Sequence, residues 1–105
     1  MRWFYNKSIS ILRESEGRLY HGSWIKGDFI PTADVICDVQ PANREQIYKD
    51  YGYYIECKYR IFCDRGTDIK ISDRVMYEGA KYKVVKIIAW DDFLDIFVEA
   101  FPDVQ

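Results

Sequence analysis

No apolar run in this chain of 105 residues approaches membrane-spanning length, and the N-terminal MRWFYNKS lacks the h-region of a signal peptide. Neither membrane attachment nor export is signalled, so the product is expected to be cytoplasmic when made. Charge of one sign is not in excess: 15 Lys and Arg stand against 17 Asp and Glu, a net charge of -2. Nucleic-acid binding is therefore not advertised by the charge balance. Histidine occurs once, and the three cysteines have no paired spacing. That excludes a disulfide framework and points to free thiols in a reducing compartment. With three prolines and six glycines there is no linker, low-complexity segment or repeat, and a single domain over 1–105 is expected.

What the chain has in quantity is aromatic rings, 17% of its residues, nine of them Tyr. Large aromatics favour strands and interfaces. The stretch Ile69–Ala100 reads as three strands joined by tight turns at Glu78-Gly79 and Asp91-Asp92, since a two-residue hairpin turn needs positive φ. With Asp91-Asp92 as the turn, Val85, Ile87, Ala89, Leu94, Ile96 and Val98 share one aliphatic face. The Glu78-Gly79 turn instead puts Val75, Tyr77, Tyr82 and Val84 together. The buried parity of the shared strand thus switches at Val84-Val85. A bulge or sharp bend is predicted there, allowing one long strand to serve a curled barrel.

Elsewhere, Ser8–Arg13 reads as a first strand, with Leu19–Trp24 as its partner. From Gly22 to Asp34 the alternation fails, and a loop is predicted that nonetheless carries Trp24, Ile25, Phe29 and Ile30. Such a segment either folds back on the core or makes contacts. Asp34–Val39 returns to strand, with Val35, Cys37 and Val39 on one face. Gln40–Gly52 carries the single helical signal: Asn43 to cap, Gln46 three residues on, Gly52 to stop, and Ile47, Tyr48 and Tyr51 as an apolar stripe. This helix is expected to plug one end of the barrel. Tyr53–Phe62 alternates cleanly, with Tyr53, Ile55, Cys57, Tyr59 and Ile61 inward. The fold expected is all-β with one short helix, a small SH3-like barrel of six or seven antiparallel strands.

Chemistry-bearing constellations are scarce. His21 stands beside Gly22 with no local signature of a nucleophile or an orienting group. Cys57 and Cys63 lack the companions of a zinc site and read as buried thiols. Asp91 and Asp92 are explained by the turn and Asp95 by the outer face of a strand. Gly22 and Gly27 are not followed by the Lys-Ser/Thr and helix of a phosphate loop. Lys81, Lys83 and Lys86 are offset by Asp91, Asp92, Asp95 and Glu99. No catalytic residue, metal ligand or cofactor is expected, and the chain is not expected to be an enzyme. More informative is the outer face of the last hairpin, where Ile88, Trp90, Phe93 and Phe97 interleave with Lys86, Asp95 and Glu99, and Phe101 follows. Aromatics among charges of both signs make a subunit interface with a polar rim, unless the helix or Trp3-Phe4-Tyr5 covers them. With Trp3 and Phe4 these four and Phe101 form the candidate interface.

The run Asp38–Ala100, with Asp38-Val39-Gln40-Pro41, the helix, Tyr53–Phe62, Ile69-Lys70-Ile71-Ser72-Asp73-Arg74-Val75 and Tyr82-Lys83-Val84-Val85 as its matching parts, takes in 63 of the 105 residues, approaching two thirds of the chain. It resembles the head-tail connector proteins of tailed bacteriophages: the head-completion, stopper or minor capsid proteins. Related patterns occur in other phage neck and tail-completion proteins. The resemblance implies a homo-oligomeric ring, often dodecameric, beneath the portal of the virion. Such a ring retains packaged DNA, without reading its sequence, and presents a surface for portal or adaptor and tail proteins. It also implies a gating or docking loop at Trp24–Ala33, with Trp24, Ile25, Lys26, Asp28, Phe29 and Ile30 as its candidates. The alternative is a stand-alone SH3-like module that binds a peptide or nucleic acid.

Overall fold

A computed structural model describes residues 6–15, 17–25 and 27–101. Eight strands and one helix are present among them, in the order β1 (Lys7–Glu14), β2 (Arg18–Tyr20), β3 (Ser23–Ile25), β4 (Phe29–Pro41), α1 (Arg44–Tyr51), β5 (Tyr59–Asp64), β6 (Arg74–Tyr77), β7 (Ala80–Ala89) and β8 (Phe93–Ala100). Six strands close an antiparallel barrel in the order β1-β4-β5-β8-β7-β6, while β2 and β3 form a separate hairpin. The chain is thus the small all-β barrel with one short helix that its periodicities predict.

Both predicted turns of the final meander are present. Glu78 (φ 50°) and Gly79 (φ 79°) are both left-handed, and pair Tyr77 with Ala80 and Val75 with Tyr82. At the second turn the Trp90 amide donates to the Phe93 carbonyl (2.9 Å), and Ala89 pairs with Leu94. The register of β7 on β8 shifts between Val84 and Lys86, so the bulge lies where the parity argument puts it. Val98 faces Val84, however, and not Val85 as the uninterrupted register would have it. Val85 is the extra residue, and it packs outside the barrel.

Four expectations are corrected. Leu19–Trp24 is not the partner of β1, which lies between β4 and β6. His21 (φ 50°) and Gly22 (φ 76°) fold that segment on itself, pairing Tyr20 with Ser23 and Leu19 with Trp24. The predicted loop over Gly22–Asp34 is largely strand, since Phe29 and Ile30 pair with Glu14 and Arg13. Its alternation fails because the β1–β4 register shifts beside Ile11 and Leu12, next to Pro31 and Thr32. A proline, having no N–H to donate, is accommodated in a sheet at such an irregularity. Thr32 Oγ1 bonds the Ile11 carbonyl there (3.2 Å). Only Tyr59–Asp64 of the strand predicted from Tyr53 is regular, and Ile69–Asp73 is irregular too.

The core inside the barrel includes Ile9, Ile11, Cys37, Ile61, Val75, Ile96 and Val98. Tyr59 meets Tyr77 and Tyr82 edge-on, with centroids 5.7 and 5.4 Å away, at the end of the barrel marked by the Glu78-Gly79 turn. Edge-to-face geometry matches the ring quadrupoles.

The helix begins and ends as its sequence dictates. Asn43 Oδ1 accepts from the Gln46 amide (3.1 Å), and left-handed Gly52 donates its amide to Tyr48 O (2.7 Å). It does not plug the barrel. Ile47 and Ile55 bury Phe97 against the outer wall, with Val85 and Ile88 alongside. The segment predicted as strand crosses over this helix-covered wall, and Ile55 and Cys57 alternate into that second core instead of the barrel.

Candidate functional site

The helix-covered wall holds a polar chain inside its apolar rim. Arg60 on β5 and Asp95 on β8 both point outward from the barrel, and both are buried by what lies above them. Arg60 donates from Nη2 and, at 3.3 Å, from Nε to the two oxygens of Asp95. Its Nη1 reaches Asp50 in the last turns of α1 (3.0 Å). Tyr51 donates to Asp95 Oδ2 (2.5 Å), and the Trp90 indole donates in turn to the Tyr51 hydroxyl (2.9 Å). Helix, strand and turn are thus joined by one network.

Its electrostatics follow from burial. Desolvation opposes the charge on Arg60, but the hydrogen bonds and charges of Asp95 and Asp50 outweigh it and raise the guanidinium pKa above its ordinary value. Burial, then the bond to Asp95, raises the Tyr51 phenol, keeping it a neutral donor. Burial also pushes the Cys57 thiol up to about 11 and the Cys37 thiol up to about 12. A thiol is a nucleophile only as thiolate, so these cysteines are inert packing groups at neutral pH.

Over the network opens a cleft of about 470 Å³ lined by Gln40, Gln46, Tyr51, Arg60, Trp90 and Phe93, among others. Trp90 stacks on Phe93 (centroids 6.0 Å apart, planes at 16°) and meets the Tyr51 ring at 5.8 Å. With Arg60 and Asp95 committed to each other, the cleft offers aromatic faces, two carboxamides and the Asp50 carboxylate, which is held by Arg60 and Gln46. Those are groups suited to recognition.

A second buried carboxylate fastens the barrel's far side. Arg13 on β1 grips Asp73 through Nε (2.9 Å) and Nη2 (2.7 Å), and Lys70 donates its amide to Asp73 as well (2.9 Å). Arg13 Nη1 also reaches Asp68 (3.1 Å). Burial alone would raise the Asp73 pKa, but the Arg13 and Lys70 hydrogen bonds prevail and lower it. In Asp73-Arg74-Val75, then, Asp73 is a buried anchor and Val75 is core, while Arg74 is half-buried between rings.

The interface candidates divide. Trp3 and Phe4 lie outside the described residues. Phe97 is corrected: at 0% exposure beneath α1 it is a core residue of the chain. Ile88 is half-buried on the same cluster and Phe93 half-buried against Trp90. Trp90 and Phe101 keep 42% and 41% of their surfaces exposed. Asp95, expected on an open outer face, is fully buried there. Sequence reasoning missed the Arg60–Asp95 and Arg13–Asp73 pairs, whose members are far apart in the chain and sit at ordinary polar positions of their strands.

The gating candidates belong to an arm. The β1–β4 ladder continues past Glu14–Phe29 through Ser15 N to Asp28 O (2.7 Å) and Asp28 N to Ser15 Oγ (3.0 Å), toward the β2–β3 hairpin. Trp24 and Ile25 are on β3, Phe29 and Ile30 open β4, and Lys26 lies outside the described residues. His21 is at the exposed hairpin tip, and the clefts described here are lined by other residues. Among the described residues, no group of three or more His, Cys, Asp and Glu could hold a metal ion, and no helix is long and apolar enough to cross a membrane.

The class defined by these features is a small closed antiparallel barrel with a helix on its wall and a hairpin arm. That fold is shared with a solved structure, the solution structure of protein SF1141 from Shigella flexneri 2a, at a TM-score of 0.78 over 95% of this chain and 96% of that one. Sequence identity is 12%, so the likeness is one of fold. No family model matches the chain, and no curated protein matches it.

Proposed function

We propose that this protein is a structural component of the tailed-phage neck, forming a homo-oligomeric ring below the portal that closes the filled head and receives the tail. The observation that carries this reading is the arm. A lone two-stranded hairpin is at best marginally stable in water, and β2 and β3 form one that extends the β1–β4 ladder beyond the barrel, with Leu19 at 69% exposure. The Cα trace is correspondingly long, 52 Å against 26 and 25 Å. Exposed apolar groups on an extension of this kind fit a contact with another subunit. The family resemblance along Asp38–Val85 supplies the setting: DNA retained in the channel, portal or adaptor protein on one side, tail on the other. In this setting the arm, not a loop, is the docking or gating element.

Size exclusion with light scattering, alone and with portal rings, tests the proposal. Ring-sized particles or a stable complex with portal are expected, and a strict monomer that ignores portal would overturn it. The cleft beside Trp90 favours a second reading, an SH3-like module for a peptide. Saturable peptide binding in a monomer, quenching Trp fluorescence, would support that reading over the first.

A further inference from the structure

At the Tyr59–Tyr77–Tyr82 end of the barrel lies a cleft of about 530 Å³, with Lys58, Arg74, Lys81, Phe29 and Phe101 in its lining. Among the described residues three cations line it and no carboxylate does. The Arg74 guanidinium is held between the rings of Phe29 (4.5 Å) and Phe101 (4.8 Å). Among the described residues its Nη1 makes long contacts, to the carbonyls of Ser72 (3.3 Å) and Asp73 (3.5 Å). Its Nε is buried with no acceptor among the described residues. Of the nearby acids, Asp73 is engaged by Arg13, Glu99 by Lys83 (3.3 Å) and Glu78 by the Tyr77 hydroxyl. A planar cation fixed by aromatic faces in the wall of a cleft suits a carboxylate that reaches its outer nitrogens.

The other end of the same β7–β8 hairpin has the complementary character. Exposed Asp91 and Asp92 form its turn, and exposed Asp64 lies across from Phe93. Arg65, which donates from Nε to the Trp90 carbonyl (3.0 Å), adds one positive charge beside these three acids. Beside them the exposed Trp90 is held rigid by Phe93 and Tyr51, as an anchor residue would be. At about 3.4 Å per residue the length of β8 separates the two ends by about 25 Å, so one copy cannot join them.

We propose that the Lys58–Arg74–Lys81 cleft receives the Trp90-Asp91-Asp92 turn of a second copy of this chain. The two surfaces differ, so the contact is heterologous, and its repetition closes a ring when the rotation between copies allows. The inference rests on the ring reading above and names the joint within it.

Charge reversal tests it, using Lys58→Glu with Lys81→Glu, Asp91→Lys with Asp92→Lys, and all four together. All four side chains are exposed, and thermal unfolding checks that each variant keeps its fold, with Lys81→Glu alone as the milder probe. In sedimentation velocity each pair of changes is expected to weaken self-association about 100-fold, with the combined variant restoring it. Rings that persist in either double variant, or a combined variant that stays dispersed, would overturn this joint and leave the ring reading standing. A wild-type chain that stays monomeric overturns both. A single-stranded oligonucleotide that binds wild type but not the Lys58→Glu, Lys81→Glu variant, with self-association unchanged, would reassign the cleft to nucleic acid and overturn the proposal.

Discussion

Asp95 accepts from Arg60 on both oxygens and from Tyr51 on one, with none of its surface exposed. Removing it leaves a guanidinium in a dry wall, opposed by Asp50 alone. Asp95→Ala is therefore expected to lower the unfolding free energy by about 3 kcal/mol, the lower end for a broken buried pair because Asp50 remains. Urea titration followed by Trp fluorescence measures this, and Tyr51→Phe should cost only about 1 kcal/mol. Asp73 governs the acid limit. Its folded pKa is depressed, so the unfolded chain takes up this proton more readily than the fold does. Its contribution is complete above the ordinary carboxylate pKa of about 4 and is lost as pH falls through the lowered folded value. Melting temperature measured down the acid range should decline less steeply in Asp73→Asn than in wild type, from a lower starting point at neutral pH.

At the scale of the element, the glycines at turns and at the arm's base have different duties. Gly79 sits at φ 79° with open space around its Cβ position, so Gly79→Ala meets only backbone strain, about 1 kcal/mol. Gly27 packs where a Cβ would stand 1.8 Å from the Ser15 carbonyl oxygen. Because that oxygen belongs to the backbone, Gly27→Ala must part the two strands at the arm's base. Limited proteolysis is expected to cut within 15–28 in Gly27→Ala and not in Gly79→Ala, while the barrel of both stays folded. Both turns of the meander, the helix caps and the Val85 bulge were legible because each depends on residues adjacent in sequence. The Tyr53–Lys58 crossing was not. Its alternation is real, but the partners of Ile55 and Cys57 are the helix and Phe97, which no local pattern names.

For the molecule as a whole, barrel and arm divide stability from assembly. The buried side chains of the barrel core belong to the six barrel strands and Ile69, so replacing 18–25 by a short Gly-Ser turn is expected to leave the melting temperature within a few degrees of wild type. The same replacement should abolish portal binding in light scattering, while the ring itself persists. Portal binding that survives without the arm would show that the docking contact lies elsewhere. The aromatic excess visible in the sequence is real, but it is shared between inside and outside. Phe97 is covered by α1, while Trp90 and Phe101 remain at the surface.

The sequence by itself determined the barrel, because period-two apolar alternation and left-handed turn residues act over a few neighbouring positions. It also determined the helix ends, through Asn43 and Gly52, and the place of the bulge, through a change of parity along one strand. Only the tertiary structure decided which outward residues are covered. It set Asp95 under Arg60, laid α1 on the wall beside Phe97, and folded the expected loop into an arm. Burial of an outward side chain depends on what crosses above it, and that is fixed by contacts between segments distant in the chain.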